Sequence, residues 1–177
     1  SDYVQMCTVP QQLPNLLDRA IRVAKSAHAP TCLIFPSDVL DLPYEAPEHA
    51  FKQVPSSLGV HMASVAPNSA GLHEAASLLN AGKKVAILVG QGARGAADEV
   101  IAVADLLGAG VAKALLGKDV LPDDLTYVTG SIGLLGTTAS YLMMKDCDTL
   151  LTVGSNFPYT QFLPELDQAK AIQIDHD

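Results

Sequence analysis

The chain has 177 residues, enough for one domain or for one domain and part of another. It is 49% hydrophobic and only 17% charged, more apolar than an average soluble domain, so we expect another domain or subunit to cover part of its surface. The formal net charge of −8, with only 11 basic residues, argues against binding of nucleic acid through the phosphate backbone.

The cysteines and histidines point to no covalent or metal framework. Cys7, Cys32 and Cys147 are far apart and odd in number, which is typical neither of a disulfide scaffold nor of a zinc site and favours a reducing cytoplasm. The five histidines lack the i,i+4 spacing of helical metal ligands. No apolar stretch approaches the roughly 20 residues that span a bilayer. We therefore expect a cytoplasmic, soluble protein without a membrane-spanning segment.

The first part of the chain predicts one helix and one strand. Apolar residues from Leu13 recur at helical spacing and stop before Pro30, and residues 31–35 form a short apolar run typical of a buried strand. One helix and one strand cannot enclose a core, so we expect residues 1–42 to be the end of a domain whose preceding part is missing. The proline-rich stretch 43–67 predicts an interdomain linker.

Residues 68–177 alternate between strand and helix signals. Such alternation predicts an α/β fold with an open, doubly wound, Rossmann-like parallel sheet. Asn68 is a candidate cap, and Gly82 and Gly108 are candidate helix ends. Helices are predicted from Asn68 to Gly82, over 97–107 and from about Thr137 to Met144, and strands over 85–89, around Val111 and Ala112, over 149–153 and over 171–174.

The sharpest local motif is VAILVGQGARG, in which Gly90, Gly92 and Gly95 give the pattern GxGxxG between a predicted strand and a predicted helix. In such a turn the backbone can approach a pyrophosphate, whose charge the helix N-terminus favours. Arg94 could add a charge-assisted contact. The alternative interpretation is that the glycines only make a tight strand-to-helix turn.

A site of the usual NAD type also needs an acidic residue about 20 residues further on, to hold the ribose hydroxyls. The corresponding stretch, VAKALLGKD, has Lys113 and Lys118 before Asp119. This absence argues against a simple NAD-dependent dehydrogenase and leaves open a dinucleotide bound in another orientation.

Three further segments follow predicted strands, where parallel sheets deliver ligand contacts. The loop 130–137, GSIGLLGT, could face a phosphate or a flavin edge or be a packing turn. Residues 154–156 could contact a ligand or form a polar turn at a strand end. Asp175 and Asp177 lie two residues apart and could hold a ribose or adenine, or be ordinary surface carboxylates.

The order of these motifs resembles the thiamine-diphosphate enzymes that include pyruvate oxidase and acetolactate synthase. The resemblance covers almost the whole chain, and VGSNFPYTQFLP is most similar to the pyruvate oxidase and pyruvate dehydrogenase (quinone) branch. It implies that residues 1–42 are the end of a pyrimidine-binding domain and residues 68–177 a central domain truncated at its C-terminus. The segments that carry it are APTCLIFPSDVL, VAILVGQGARGA, GSIGLLGT, DTLLTVGSNFPYTQFLP and AIQIDHD.

The resemblance also implies FAD binding, since flavin-binding members hold FAD across the strand ends of the central domain. Some relatives, such as benzoylformate and pyruvate decarboxylases, keep the domain without a flavin. The matching positions are Gly90, Gln91, Gly92, Ala93, Arg94, Ala114, Leu115, Ser131, Ile132, Gly133, Ser155, Asn156, Phe157, Asp175 and Asp177.

By the same resemblance the parent protein is expected to be a homo-oligomeric oxidoreductase or lyase that acts on pyruvate or another 2-oxo acid. The family's activating glutamate and its GDG…N metal motif do not appear in this chain, so thiamine diphosphate and magnesium are expected to bind elsewhere in the parent. The chain alone is expected to be inactive and to hold no catalytic residue. The alternatives are an acetolactate synthase-type or non-flavin decarboxylase fragment, a free-standing dinucleotide-binding module, and an NAD-dependent enzyme.

Overall fold

The computed structural model describes residues 1–46 and 66–175. The chain divides into two compact units, Ser1–Val65 and Ala66–Asp177. Most of the predicted linker, and Asp177 among the predicted site residues, lie outside the described residues. No helix in the described part of the chain is long and apolar enough to cross a membrane.

The described residues of the first unit form two parallel strands and two α-helices: β1 (Tyr3–Met6), α1 (Leu13–Ala27), β2 (Thr31–Ile34) and α2 (Ser37–Leu40). The predicted helix and strand, α1 and β2, are both present. Strand β1 was not predicted, because its four residues YVQM carry little periodic signal and owe their conformation to pairing with β2. Helix α1 ends where His28 adopts the left-handed conformation.

The second unit contains five parallel strands in the order β5-β4-β3-β6-β7, which confirms the doubly wound α/β fold. From β3 the chain adds β4 and β5 on one side of the sheet. It then returns and adds β6 and β7 on the other side of β3. Its strands are β3 (Val85–Val89), β4 (Gly110–Lys113), β5 (Val128–Ser131), β6 (Thr149–Val153) and β7 (Lys170–Ile174), and its helices are α3 (Ser69–Ala81), α4 (Ala97–Leu107) and α5 (Thr138–Asp146).

Side-chain hydrogen bonds and a left-handed glycine define three of the helix ends. The Asn68 side chain accepts a hydrogen bond from Gly71 N at 2.7 Å and so caps α3, as predicted. The Thr137 side chain accepts from Ser140 N at 3.1 Å at the start of α5. Gly108 ends α4 in the left-handed conformation, at φ 59°.

The sheet buries both of its faces. All five residues of β3 are buried: alternate residues such as Ile87 pack with α3 and α4, whereas Ala86 and Leu88 pack with α5. The connection from β6 to β7, residues 154–169, contains no α-helix and lies on the α5 face. It contributes Phe157, Phe162 and Leu163 to that core.

Strand β5 is another element that the sequence did not predict. Its last two residues, Gly130 and Ser131, belong to the segment that was predicted to be a loop. Gly130 is a weak indicator of a strand and has φ 101°. Pairing with β4, through Ala112 opposite Gly130 and Lys113 opposite Ser131, determines the strand.

The turns after β3 and β6 are in backbone contact. Gly90 N donates to Val153 O and Gly92 N to Gly154 O, both at 2.9 Å. A Cβ on Gly92 would lie 2.8 Å from Gly154 Cα, and a Cβ on Gly90 would collide with Gly154 O. Close packing between the two turns therefore requires two of the three motif glycines, Gly90 and Gly92. These turns lie between β3 and β6, where the order of strands in the sheet reverses.

We predict that Gly90→Ala lowers the free energy of unfolding by about 3 kcal/mol, because the added methyl group collides with backbone that cannot rotate away. The matched control is Gly95→Ala in the same motif. A Cβ there meets nothing within 4 Å, so only the positive φ of 89° opposes it, at about 1 to 2 kcal/mol. Urea denaturation of both variants measures the difference. Equal stability of the two variants would contradict the packing role of Gly90.

A second prediction concerns Cys147, which is 3% exposed between α5 and β6 and whose thiol donates to Met144 O. Burial raises the pKa of the Cys147 thiol from 9.0 to about 11. The unfolded chain therefore loses this proton at lower pH than the folded chain, and the thiol's contribution to stability is lost as the pH rises from about 9 to 11.

Urea denaturation across that pH range should show a steeper loss of stability for the wild type than for Cys147→Ala. At about pH 8 a thiol reagent should modify the exposed Cys32 first and Cys147 only on unfolding. Parallel pH profiles for wild type and variant, or early modification of Cys147, would show that the thiol is not shielded.

Candidate functional site

A cleft of about 510 Å³ opens at the carboxyl ends of β3, β4 and β6. It lies where the sheet order reverses, between β3 and β6, which is the position at which open α/β sheets bind ligands. Its volume is in the range of small-molecule and cofactor sites. It is lined by Gly90, Gln91, Ala114, Leu115, Leu116, Gly154, Ser155, Asn156, Phe157, Pro158 and Tyr159.

A smaller compartment of about 180 Å³ adjoins the cleft and shares Leu115, Phe157 and Tyr159 with it. The loop between β5 and α5 forms its other wall. That wall consists of Ser131, Ile132, Gly133, Leu134 and Leu135.

The two compartments together bring ten of the predicted site residues to one place. They are Gly90, Gln91, Ala114, Leu115, Ser131, Ile132, Gly133, Ser155, Asn156 and Phe157. Four others, Gly92, Ala93, Arg94 and Asp175, lie outside the lining, and Asp177 lies outside the described residues.

The walls are mainly apolar and partly open to solvent. Leu115 and Leu116 are 59% and 67% exposed, and the rings of Phe157 and Tyr159 meet edge to face with centroids 5.4 Å apart. Apolar side chains left exposed beside aromatic ones offer contact area to a flat, partly apolar ring. The polar lining groups are few, among them Ser131, Ser155 and Asn156.

The GxGxxG turn has little free backbone to offer a phosphate. Gly92 N donates to Gly154 O, Ala93 N to Gly90 O and Arg94 N to Gln91 O. Residues 91–93 form one turn of 3-10 helix, and α4 begins only at Ala97. The first turn of α4 carries Asp98 and Glu99, which oppose a bound anion. The geometry thus favours the packing interpretation of this turn.

Arg94 is engaged within the protein. Its guanidinium contacts the Asp119 carboxylate, with Nη2 3.1 Å from Oδ1, and also donates to Leu116 O at 3.2 Å. The hydrogen bond from Arg94 holds the pKa of Asp119 below its usual value. Because both side chains are about half exposed, a bound phosphate could compete with Asp119 for the guanidinium.

The end of β4, where a NAD site would place a carboxylate, carries Lys113. Its side chain is 2% exposed, pairs with Asp123 and donates to Leu121 O at 2.8 Å. The ammonium group therefore contacts the connection to β5 and does not line the cleft. This arrangement provides no acceptor for ribose hydroxyls at that strand end.

Several lining residues were not among the fifteen positions matched through the family resemblance. Leu134 and Leu135 form the tip of a turn that Gly136 N closes onto Gly133 O at 2.9 Å, and they are 78% and 85% exposed. Their signal was the sequence GLLG, two adjacent apolar residues between turn-forming glycines. The others are Leu116, Gly154, Pro158 and Tyr159, each next to a predicted residue or in the segment that follows one.

Known proteins resemble this chain over nearly its whole length. A protein described as a 42.6 kDa protein in the isoamylase 3' region of Pseudomonas amyloderamosa is 36% identical over 99% of the chain. YdaP of Bacillus subtilis (strain 168), described as a thiamine pyrophosphate-containing protein, is 34% identical over 94% of it. The relatives also include a 3D-(3,5/4)-trihydroxycyclohexane-1,2-dione hydrolase of Bacillus subtilis (strain 168), 30% identical over 98% of the chain and 28% of the hydrolase.

A solved structure also matches the fold of this chain. An X-ray structure of a Mycobacterium smegmatis enzyme, described as thiamin diphosphate-dependent, matches 97% of the chain with a TM-score of 0.69 at 23% identity. The chain spans 43% and 28% of the length of the first two relatives and 33% of this structure. The family model described as "Thiamine pyrophosphate enzyme, central domain" matches residues 72–177. The chain belongs to the thiamine pyrophosphate enzyme family and carries its central domain.

Proposed function

We propose that the cleft at the ends of β3, β4 and β6 binds FAD within a thiamine-diphosphate-dependent enzyme that oxidatively decarboxylates pyruvate or a related 2-oxo acid. The observation that carries this proposal is the convergence of ten predicted residues on the apolar cleft at the switch point and its adjoining compartment. The thiamine diphosphate and magnesium sites belong, in this proposal, to other parts of the protein, which is proposed to be a cytoplasmic homo-oligomer.

The cleft fits the ring of a flavin better than it fits the phosphates. Leu115, Phe157 and Tyr159 would hold the planar ring, and Ser131 and Asn156 would contact its polar edge. Four of the five amides of the Gly90–Arg94 turn donate to protein acceptors, so Arg94, released from Asp119, is the side chain that would bind the pyrophosphate. When bound, FAD would supply two-electron oxidation chemistry, and this chain's residues would bind, orient and shield it.

A second candidate function is that of a scaffold domain that binds no flavin. Two observations favour it: amides of the glycine turn are hydrogen-bonded within the protein, and Arg94 is paired with Asp119. In a domain that binds no dinucleotide, these contacts would serve only to pack the turn. The hydrolase among the relatives also shows that the family name does not specify an oxidation. Ligand binding decides between the two candidates.

We predict that FAD raises the thermal stability of the chain and that Leu115→Glu abolishes the increase. FAD at 100 times its dissociation constant should add about 2.7 kcal/mol, whereas a carboxylate on the wall shared by both compartments should exclude the ring. The measurement is a thermal-shift titration with FAD, ADP and NAD.

Leu106→Glu is the matched control. Leu106 lies on α4, is 83% exposed and does not line the cleft, so this variant should respond to FAD like the wild type. A larger shift with NAD than with FAD would refute the flavin assignment. Equal absence of a shift with all three ligands would favour the scaffold function.

A further inference from the structure

We infer that Lys145 and Ser140, two α5 residues outside the lining of the cleft, are positioning residues that set the gap between the two walls of the smaller compartment. The inference rests on the proposed function, since it concerns how this compartment accepts a planar ring. The two walls belong to different connections of the fold: residues 131–135 lie before α5, and Phe157 and Tyr159 lie after β6. Leu115, which follows β4, completes the lining.

The amino-terminal end of α5 fixes the first wall through a cluster of hydroxyl groups. Ser140 is fully buried, and its Oγ lies 2.8 Å from Thr129 Oγ1 and 3.0 Å from Thr137 Oγ1. Thr137 Oγ1 also donates to Thr129 O at 2.6 Å, and Thr137 N donates to Ser131 O at 2.8 Å. The two ends of the loop are thereby joined to each other and to α5.

The carboxyl-terminal half of α5 fixes the second wall. Lys145 is 23% exposed, and its ammonium donates to Leu163 O at 3.0 Å and pairs with Glu165. The same ammonium lies 5.9 Å from the centre of the Tyr141 ring, which meets Phe162 edge to face at 6.3 Å. Lys145 thus links α5 to the connection after β6. It also lies beside the Tyr141–Phe162 ring pair, which joins the same two elements.

Side-chain contacts matter here because the connection 154–169 contains no α-helix. Its position depends on contacts with α5, to which Gln168 adds hydrogen bonds to Met144 O and Cys147 O. Lys145 bonds Leu163 O, and the residues next to it connect this anchor to the wall, because Phe162 N donates to Tyr159 O and Leu163 N to Thr160 O.

The two walls come near each other at Gly133 and Phe157, with room for one methyl group between them. A Cβ on Gly133 would lie 3.6 Å from the Phe157 ring, and Gly133 has φ 119°. Because both walls are fixed to the same helix, loss of either anchor changes the width of the compartment without changing its lining residues. A binding site loosened by about 1 Å in this way loses affinity.

The test compares Lys145→Met with Lys84→Met in the full chain. Lys84 also pairs with a residue of α5, Asp146, with Nζ 2.8 Å from Oδ1, but does not contact the connection after β6. Both variants remove one lysine ion pair from the same helix. Riboflavin, which carries the ring, and ADP, which does not, serve as probes in fluorescence and calorimetric titrations, and hydrogen exchange reports the amides of Phe162 and Leu163.

Lys145→Met is expected to bind riboflavin about tenfold more weakly than the wild type, to leave ADP binding unchanged and to exchange the amides of Phe162 and Leu163 faster. Lys84→Met should match the wild type in all three. Ser140→Ala should show the same ring-specific loss, with faster exchange at Gly136 and Thr137.

Unchanged riboflavin affinity and unchanged exchange in Lys145→Met would overturn the inference, as would an equal loss for riboflavin and ADP, which indicates general destabilisation. If the wild type binds neither riboflavin nor FAD, the proposed flavin function falls. The exchange rates then still decide whether Lys145 and Ser140 hold the two walls.

Discussion

The backbone contact between the turns after β3 and β6 is the constraint on which the second unit depends. The two strands are adjacent in the sheet although 59 residues and two further strands lie between them. Gly92 N donates to Gly154 O, and any side chain on Gly90 would collide with that carbonyl. The contact places the ends of β3 and β6 side by side, and the cleft opens where their chains separate.

This constraint changes what the glycine motif means for ligand binding. GxGxxG between a strand and a helix is a signature of phosphate binding because its amides are free. Here the amides of Gly92, Ala93 and Arg94 have protein acceptors, and close packing against Gly154 explains Gly90 and Gly92. In the proposed function, recognition of a ligand then shifts to the apolar walls at Leu115 and Phe157.

Elements with strong local signals were predictable from the sequence, and those determined by pairing were not. The capping side chain of Asn68 and the buried run 85–89 were both identified correctly. Strands β1 and β5, of four residues each, depend on their neighbours, and no periodicity could reveal them. In the site, family resemblance located ten lining residues, but the Arg94–Asp119 pair joins residues 25 apart and has no sequence signal.

The low charge content has two structural origins, only one of which calls for a covering partner. Parallel strands covered on both faces need continuous apolar runs, and β3 is buried at every residue. Those apolar residues are buried within the unit itself. The remainder is exposed: Leu13, Leu17 and Ile21 recur along α1 in the first unit, and Leu134 and Leu135 are at the cleft of the second. Composition alone cannot separate these origins, because it counts a buried strand and an exposed leucine alike.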